Sequence, residues 1–179
     1  SEDSVLSSEI AKQEVKGIED KGVRVVFKHF ALNDCEQDRI GLGVWLNEQA
    51  AREIYLRAFQ GALEKSQAGG NGVMMAYTRW GTEWSGANEG LVKGVMNGEW
   101  NCNGLQITDN VLNSMVNGIE GVMGGTTTYD SMLAFMITGK NGLAGYEKDP
   151  VAVSAMREAC HHNLYAIANS QAMNGIGAD

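Results

Sequence analysis

Polar side chains end three short apolar runs in this sequence. Lys28 and His29 end the first run, Tyr77 ends the second, and Asp109 ends the third. A carboxylate can serve as a nucleophile or base, and imidazole can serve as a base. When parallel strands alternate with helices, the carboxyl ends of the strands share one face of the sheet. We therefore expect these four side chains to surround a single pocket.

Each of these residues also has a purely structural interpretation. Asp109 is well suited to cap the helix that follows it, and Met74 is suited to filling a core. Tyr77 fits a half-buried amphipathic position. Lys28 and His29 are adjacent, so on a regular strand they point to opposite sides, and both reach one site only if the chain turns there. The residue types alone leave both interpretations open.

The elements that position these residues alternate between helix and strand. Apolar spacing of three and four residues predicts the helices, and short apolar runs predict the strands. The predicted helices are residues 4–20, 48–65, 88–97, 111–123, 131–137 and 150–170. The predicted strands are residues 23–27, 73–77 and 105–108, with room for a fourth. The first of them is apolar enough to predict a strand covered on both faces.

This order predicts parallel strands joined by right-handed crossovers. A complete (β/α)8 barrel needs eight strands and typically about 250 residues, and this chain has 179. We therefore predict an α/β fold that is a partial (β/α)8 TIM-type barrel, in one domain spanning residues 1–179. The polar connection at residues 30–47 is long for a compact domain, and such connections are often functional. Its polar residues include Asn33, Asp34, Glu36, Asp38 and Arg39.

Composition argues against several functional classes. The net charge is −8 without a basic run, which disfavours nucleic acid and anionic membranes as partners. No apolar run approaches the roughly 18–20 residues that span a bilayer. Three widely spaced cysteines disfavour a disulfide framework or zinc site and favour a reducing, cytoplasmic location. We predict no cofactor and no metal. The first residue, Ser1, suggests a processed chain or a piece of a longer one.

Several motifs together resemble one enzyme family. In chain order they are Lys28-His29-Phe30-Ala31, Ala51-Arg52-Glu53-Ile54-Tyr55-Leu56, Val73-Met74-Met75-Ala76-Tyr77, Gly98-Glu99-Trp100 and Gly104-Leu105-Gln106-Ile107-Thr108-Asp109. This set resembles glycoside hydrolase family 3, the β-glucosidases and related exo-acting glycosidases. The opening Ser1-Glu2-Asp3 is similar to that family as well. The terminal Asp149-Pro150-Val151 and the stretch at 169–175 resemble the subgroup whose barrel follows its other domains. Because the family's earlier barrel strands are missing, the resemblance implies that this chain is the C-terminal part of the barrel.

The resemblance implies retaining hydrolysis of terminal β-D-glucosyl residues. Asp109 matches the aspartate that forms the covalent glycosyl-enzyme in that family. Lys28 and His29 match a pair that hydrogen-bonds sugar hydroxyls next to the scissile bond. Met74 and Tyr77 match residues that line the same subsite. A β-glucoside or short oligosaccharide is the implied substrate.

The match to the family is incomplete in two respects. Asn110 stands where the family usually has tryptophan after the nucleophile. The acid/base carboxyl group that a retaining glycosidase requires comes from a different domain in the family, and Glu36 and Glu83 are the nearest substitutes in this chain. The earlier barrel strands are also missing. We expect the remaining enzyme segments, or another chain, to cover the open sheet edges.

Two other functions stay open from the sequence. The chain could be a non-catalytic fragment or subunit that retains only residual sugar binding, since the acid/base is absent. It could instead belong to an unrelated barrel enzyme that uses Lys28 as a Schiff base or His29 as a base. Borohydride trapping of an adduct on Lys28 would support this last alternative.

Overall fold

The fold is known from a computed structural model. It describes residues 2–64, 70–111, 116–131 and 142–173. The predicted helix at residues 131–137 lies almost wholly outside these ranges. Among the residues described, no helix combines the length and the apolar character needed to cross a bilayer.

Helices and strands alternate along most of the chain, as predicted. The helices are α1 (Ser4–Glu19), α2 (Glu48–Ala50), α3 (Arg57–Glu64), α4 (Gly118–Gly124) and α5 (Pro150–Ala168), with π-helices at Ala51–Tyr55 and Gly90–Glu99 and a 3-10 turn at Gln171–Met173. The strands are β1 (Val26–Phe30), β2 (Gly43–Val44), β3 (Gly72–Met75), β4 (Arg79–Trp80), β5 (Glu83–Trp84) and β6 (Gln106–Thr108).

Three strands form the central parallel sheet, in the order β1-β3-β6. Residues 126–130 continue the sheet beyond β6 through a parallel bridge between Ile107 and Thr128. The Thr108 N–H donates to the Thr128 carbonyl over 2.9 Å. The predicted α/β fold with parallel strands, a partial (β/α)8 barrel, is therefore confirmed.

The two faces of this sheet differ in how well they are covered. Side chains alternate across a strand, and Phe30, Val73 and Met75 are fully buried on one side, here called the covered face. They pack in the main core, against the helices that follow β1 and β3. On the other side, here called the open face, Met74 and Ile107 are half-buried and Val26 is exposed. The helices that the structure describes thus cover one side of the sheet and leave the other partly exposed.

This difference corrects the prediction that the first strand is covered on both faces. The strand begins at Val26 rather than Val23, and the side chains of these two valines are 38% and 52% exposed. Within the described residues β1 pairs only with β3, so its other edge and its open face lack cover. The apolar run at residues 23–27 predicts a strand covered on both faces because a valine-rich composition is typical of strands inside a parallel sheet.

Most helix predictions are confirmed, with local differences. The predicted helix at 48–65 is interrupted by a π-helical turn, and the predicted helix at 88–97 is itself a π-helix. The prediction of helix from residue 111 is wrong, because the Val111 N–H donates to the Asp130 carbonyl over 2.7 Å and extends the sheet. Helix α4 begins only at Gly118, where the Asn117 side chain caps it.

A second, small sheet lies beyond the carboxyl ends of β1 and β3. Its order is β2-β4-β5, with β2 parallel to β4 and β4 antiparallel to β5. Strand β2 belongs to the long connection after β1, and the β4–β5 hairpin follows β3. This sheet ties the two connections together on the side of the molecule where the strands end.

Candidate active site

Asp109 lies immediately after β6, beside the end of β3. Its N–H donates to the Met75 carbonyl over 3.2 Å, so the backbone of the neighbouring strand fixes its position. The carboxylate is mostly buried, and its Oδ1 accepts a 2.7 Å hydrogen bond from the Asn110 N–H. These contacts leave Oδ2 directed toward side chains that arrive from the region after β1.

His29 is one of the side chains that face Asp109. Its Nε2 lies 3.4 Å from Asp109 Oδ2. The pairing register between β1 and β3 shifts between Phe27 and Phe30. The regular alternation of side chains is therefore broken at this point, and His29 reaches the carboxylate from the far side of β3.

Arg39 is the second group at the carboxylate, and the sequence did not single it out. Its Nη1 donates to Asp109 Oδ2 over 3.3 Å, while its Nε lies 3.1 Å from Glu36 Oε2. The guanidinium carbon also lies 4.9 Å from the centre of the Tyr77 ring, within the range of a cation–π contact. The only sequence signal for Arg39 was its position in the crowded polar connection.

The Tyr77 side chain is buried beside Arg39 and Asn110, which contact the carboxylate. It is only 2% exposed, and its hydroxyl donates to the Asn110 carbonyl. Burial, with the nearby Asp109 charge, raises the pKa of Tyr77 above its ordinary value. Because loss of the proton would place a second anion beside Asp109, the phenol stays a neutral donor at neutral pH. Its bond to Asn110 fixes the backbone directly after the carboxylate.

Lys28 and Met74 lie on the open face rather than at the carboxylate. Lys28 is exposed and forms no ion pair among the described residues. Met74 is half-buried and pairs in register with Ile107 of β6. Of the five residues singled out from the sequence, the structure thus brings His29, Tyr77 and Asp109 together, with Lys28 and Met74 on the adjoining surface.

This arrangement holds the Asp109 carboxylate in a fixed orientation. The Arg39 guanidinium, the His29 ring and the Asn110 N–H contact the carboxylate, and a carboxylate positioned in this way suits a nucleophile or a base. A second carboxylate, Glu36, is engaged by Arg39 and by the Asn33 amide, whose Nδ2 donates over 2.6 Å. No group of residues suited to holding a metal ion occurs in the described ranges.

A large groove in the described part of the molecule is separate from this site. The groove has a volume of about 910 Å³ and lies between the π-helix Gly90–Glu99 and α5, and Glu83, Lys93, Glu120 and His162 are among the residues that line it. Asp109 and its partners do not line this groove.

Comparison with known proteins identifies the family. The sequence profile of the glycosyl hydrolase family 3 N terminal domain matches residues 1–130. The chain belongs to glycosyl hydrolase family 3. It is 35% identical over 121 residues to thermostable beta-glucosidase B of Acetivibrio thermocellus, and 32% identical over 147 residues to beta-glucosidase B of Emericella nidulans. These alignments cover 67% and 78% of this chain but only 16% and 17% of the two relatives.

A solved structure of the same family has the same fold. Beta-glucosidase 3B of Thermotoga neapolitana, in complex with glucose, aligns with a TM-score of 0.84 and 28% identity. The alignment covers 98% of this chain and 25% of that one. The family 3 fold therefore extends beyond residue 130, over nearly the whole chain.

Proposed function

We propose that this chain carries the nucleophile half of the active site of a retaining β-glucosidase. The observation that carries the proposal is the Asp109 carboxylate, held at the end of β6 between His29 and Arg39. Carboxylates at the carboxyl ends of parallel barrel strands are typical of catalytic positions. The curated relatives described above are named as beta-glucosidases.

In the proposed reaction an oxygen of Asp109 attacks the anomeric carbon of a terminal β-glucosyl residue. A bond forms between that carbon and the carboxylate while the bond to the leaving-group oxygen breaks, and water later hydrolyses the glycosyl-enzyme. Arg39 and the Asn110 N–H hold the carboxylate in position. His29, Lys28, Met74 and Tyr77 form the wall of the sugar subsite.

The departing oxygen needs a proton, which Asp109 cannot supply while it acts as the nucleophile. A retaining glycosidase places the required acid about 5–5.5 Å from the nucleophile. Glu36 is bound by Arg39 and Asn33, so we assign the acid to a part of the enzyme outside this chain. The small share of the relatives that the chain covers, 16% in one case, supports that assignment.

We also propose that the chain forms the last strands of the barrel. Four parallel segments come in sequence, and the long helix α5 follows them without another strand in the described residues. The missing strands would pair with the free edge of β1 and cover the open face. Sheet edges of this kind normally need such cover.

A second candidate function, that of a non-catalytic fragment with residual sugar binding, is favoured by the partly exposed open face. Without its walls the isolated chain would bind a sugar weakly and turn none over. This candidate and the first differ in one respect, which is whether Asp109 can form a covalent bond.

The test is incubation with a 2-deoxy-2-fluoro-β-glucoside that carries a dinitrophenolate leaving group, followed by peptide mass spectrometry. The fluorine slows hydrolysis of the adduct, and the leaving group departs without a proton. We expect one glycosyl adduct, on Asp109. Asp109→Asn should abolish it, whereas Asp34→Asn, in the exposed connection, should label like the wild type. Labelling elsewhere, or none in a folded sample, would refute the nucleophile assignment.

A further inference from the structure

A second aspartate ends the parallel segment next to β6. Residues 126–130 run beside β6 in the parallel direction, and this segment ends at Asp130, while β6 is followed directly by Asp109. The carboxyl ends of parallel strands share one face of the sheet. The rule that places Asp109 at the site therefore places Asp130 beside it.

Two hydrogen bonds fix the backbone of Asp130 next to Asp109. The Asp130 N–H donates to Thr108 Oγ1 over 2.9 Å, and the Asp130 carbonyl accepts the Val111 N–H over 2.7 Å. Thr108 and Val111 lie on either side of Asp109 along the chain. The backbone of Asp130 is therefore bound both before and after the proposed nucleophile.

The register of the two segments gives the same placement. Ile107 and Thr128 form the parallel bridge between them, and Asp109 and Asp130 each lie two residues beyond it. Neighbouring strands are about 4.8 Å apart, and residues at the same register lie on the same face of a sheet. The two aspartates thus occupy adjacent positions at the end of the sheet.

The charge of Asp130 also acts on the phenol at the site. Burial is the main cause of the raised pKa of Tyr77, and the charges of Asp109 and Asp130 raise it further. A charge shifts the pKa of another group in this way only when the two lie close together. The phenol hydroxyl donates to the Asn110 carbonyl, so both carboxylates lie around one fixed group.

Asp130 differs from the other carboxylates of the site in its partners. Arg39 contacts both Asp109 and Glu36. Among the residues that the structure describes, the Asp130 carboxylate forms no hydrogen bond and no ion pair. The side chain is half-buried, so its oxygens remain able to accept hydrogen bonds from a ligand.

We propose that Asp130 is a specificity-determining residue that accepts hydrogen bonds from hydroxyl groups of the sugar attacked by Asp109. The inference rests on the proposed function, because it takes Asp109 as the nucleophile. Hydroxyl groups that donate to a carboxylate form bonds roughly twice as strong as those between neutral groups. The same charge repels an anionic sugar. The substrate class is therefore a neutral glycoside rather than a uronide.

We assign Asp130 as an acceptor and not as the missing acid. A carboxyl group that acts as an acid at neutral pH is typically enclosed in an apolar pocket, and Asp130 is only half-buried. The two roles respond differently to the leaving group, because an acid matters most when the leaving group is poor. A sugar contact affects good and poor leaving groups alike.

Labelling rates with two sugars test the inference on the full chain. The reagents are the dinitrophenyl 2-deoxy-2-fluoro-β-glucoside and the corresponding β-glucuronide. Asp130→Ala should slow labelling by the glucoside about 10- to 150-fold, the range expected for loss of a hydrogen bond to a charged group. Asp130→Asn keeps a neutral acceptor and should lose less. Both variants should speed labelling by the glucuronide about 2- to 5-fold, because one repulsive charge is removed.

The opposite signs separate a direct contact from a structural effect. A disturbed backbone at Asp130 would slow labelling by both reagents, and that result would overturn the inference. Asp34→Asn removes the same charge from the exposed connection and serves as the control. Its labelling rates should equal those of the wild type with both sugars.

Binding measurements make the inference independent of the covalent step. Saturation-transfer NMR titrations with glucose and with glucuronate give dissociation constants without any reaction. Asp130→Asn should weaken the binding of glucose and strengthen the binding of glucuronate.

The remaining outcomes separate this inference from the function on which it rests. Labelling of Asp109 at rates that Asp130→Ala leaves unchanged would overturn the role of Asp130 and leave the nucleophile assignment intact. The reversed binding preference without any labelling would overturn the nucleophile and support the sugar contact. Neither binding nor labelling in a folded wild type would overturn both. Labelling by a phenyl glycoside that is lost in Asp130→Asn would make Asp130 the acid and overturn the acceptor role.

Discussion

The covered and open faces of the central sheet belong to the same three strands, yet they differ in completeness. Met75 on the covered face is fully buried among the following helices, while its neighbour Met74 on the open face is only half-buried. Lys28 and Val26 are exposed on the open side of β1. One side of the sheet is a packed core, and the other is partly exposed among the residues that the structure describes.

The difference teaches that folding and function draw on different parts of the chain. The helices after β1 and β3 bury the covered face without help from other segments. The residues proposed to bind sugar lie on the open face or at its end, where the described residues supply no opposite wall. We therefore expect changes on the covered face to affect stability and changes at the end of the strands to affect chemistry.

The largest effect is expected from a pair of neighbouring methionines. Met75→Ala should lower the free energy of unfolding by about 2–5 kcal/mol, because it opens a cavity in a packed core. Met74→Ala should cost less than about 1 kcal/mol, because the side chain is only partly buried and lies outside the main core. Urea denaturation of both variants measures the contrast. Equal losses would show that the open face is covered in this chain, contrary to our account.

Arg39 provides the next test, at the boundary between the two faces. Arg39→Ala removes a hydrogen bond to a charged group, worth about 1.5–3 kcal/mol, and should slow labelling of Asp109 by about 10- to 150-fold. Arg39→Lys keeps the positive charge but loses the planar guanidinium. Its labelling rate should fall between those of the wild type and Arg39→Ala. The matched control is Arg57→Ala, since Arg57 bonds to Gln60 in helix α3 and to no other residue within the described ranges. A labelling rate unchanged in Arg39→Ala would remove Arg39 from the site.

Cys102 gives a smaller effect that reports on the covered core alone. Burial raises the pKa of this thiol from 9.0 to about 12. Because the folded state holds the proton more tightly than the unfolded state, the stability from this group is complete below pH 9 and is lost as pH rises toward 12. Cys102→Ala should therefore flatten the decline in stability over this range, by roughly 1 kcal/mol per pH unit.

Urea denaturation between pH 8 and pH 11 measures that slope. The exposed Cys35 provides the control, and Cys35→Ala should decline with pH as the wild type does. If Cys102→Ala and the wild type decline in parallel, the thiol is not buried as described. Iodoacetamide should agree with the result, reacting with Cys35 and Cys160 in the native state and sparing Cys102.

Sequence patterns predicted the parts of this fold that follow regular periodicity. Helix α1, α5 and the three apolar strands were recoverable because each is a continuous run with one spacing. The threonines at 126–128 run beside β6 and were not predicted as a strand, because a short polar strand lacks any apolar pattern. The π-helical turns were not predicted either, since the spacing of their apolar residues is close to that of an α-helix.

The sequence predicted those residues of the candidate site that lie at the ends of strands. His29, Tyr77 and Asp109 follow from the rule that the carboxyl ends of parallel strands share one face of the sheet, which needs no knowledge of the tertiary structure. Arg39 is 70 residues from Asp109 and lies in an irregular connection, where no periodicity indicates the direction of a side chain.

The most direct measurement is the dependence of Asp109 labelling on the leaving group. The same 2-deoxy-2-fluoroglucosyl group would be presented with dinitrophenolate, which departs unaided, and with phenolate, which needs a proton. Our account predicts labelling of Asp109 by the first compound and none by the second, because this chain lacks the acid. Equal labelling by both would place a working acid within these 179 residues and contradict the claim that the chain is half of a site.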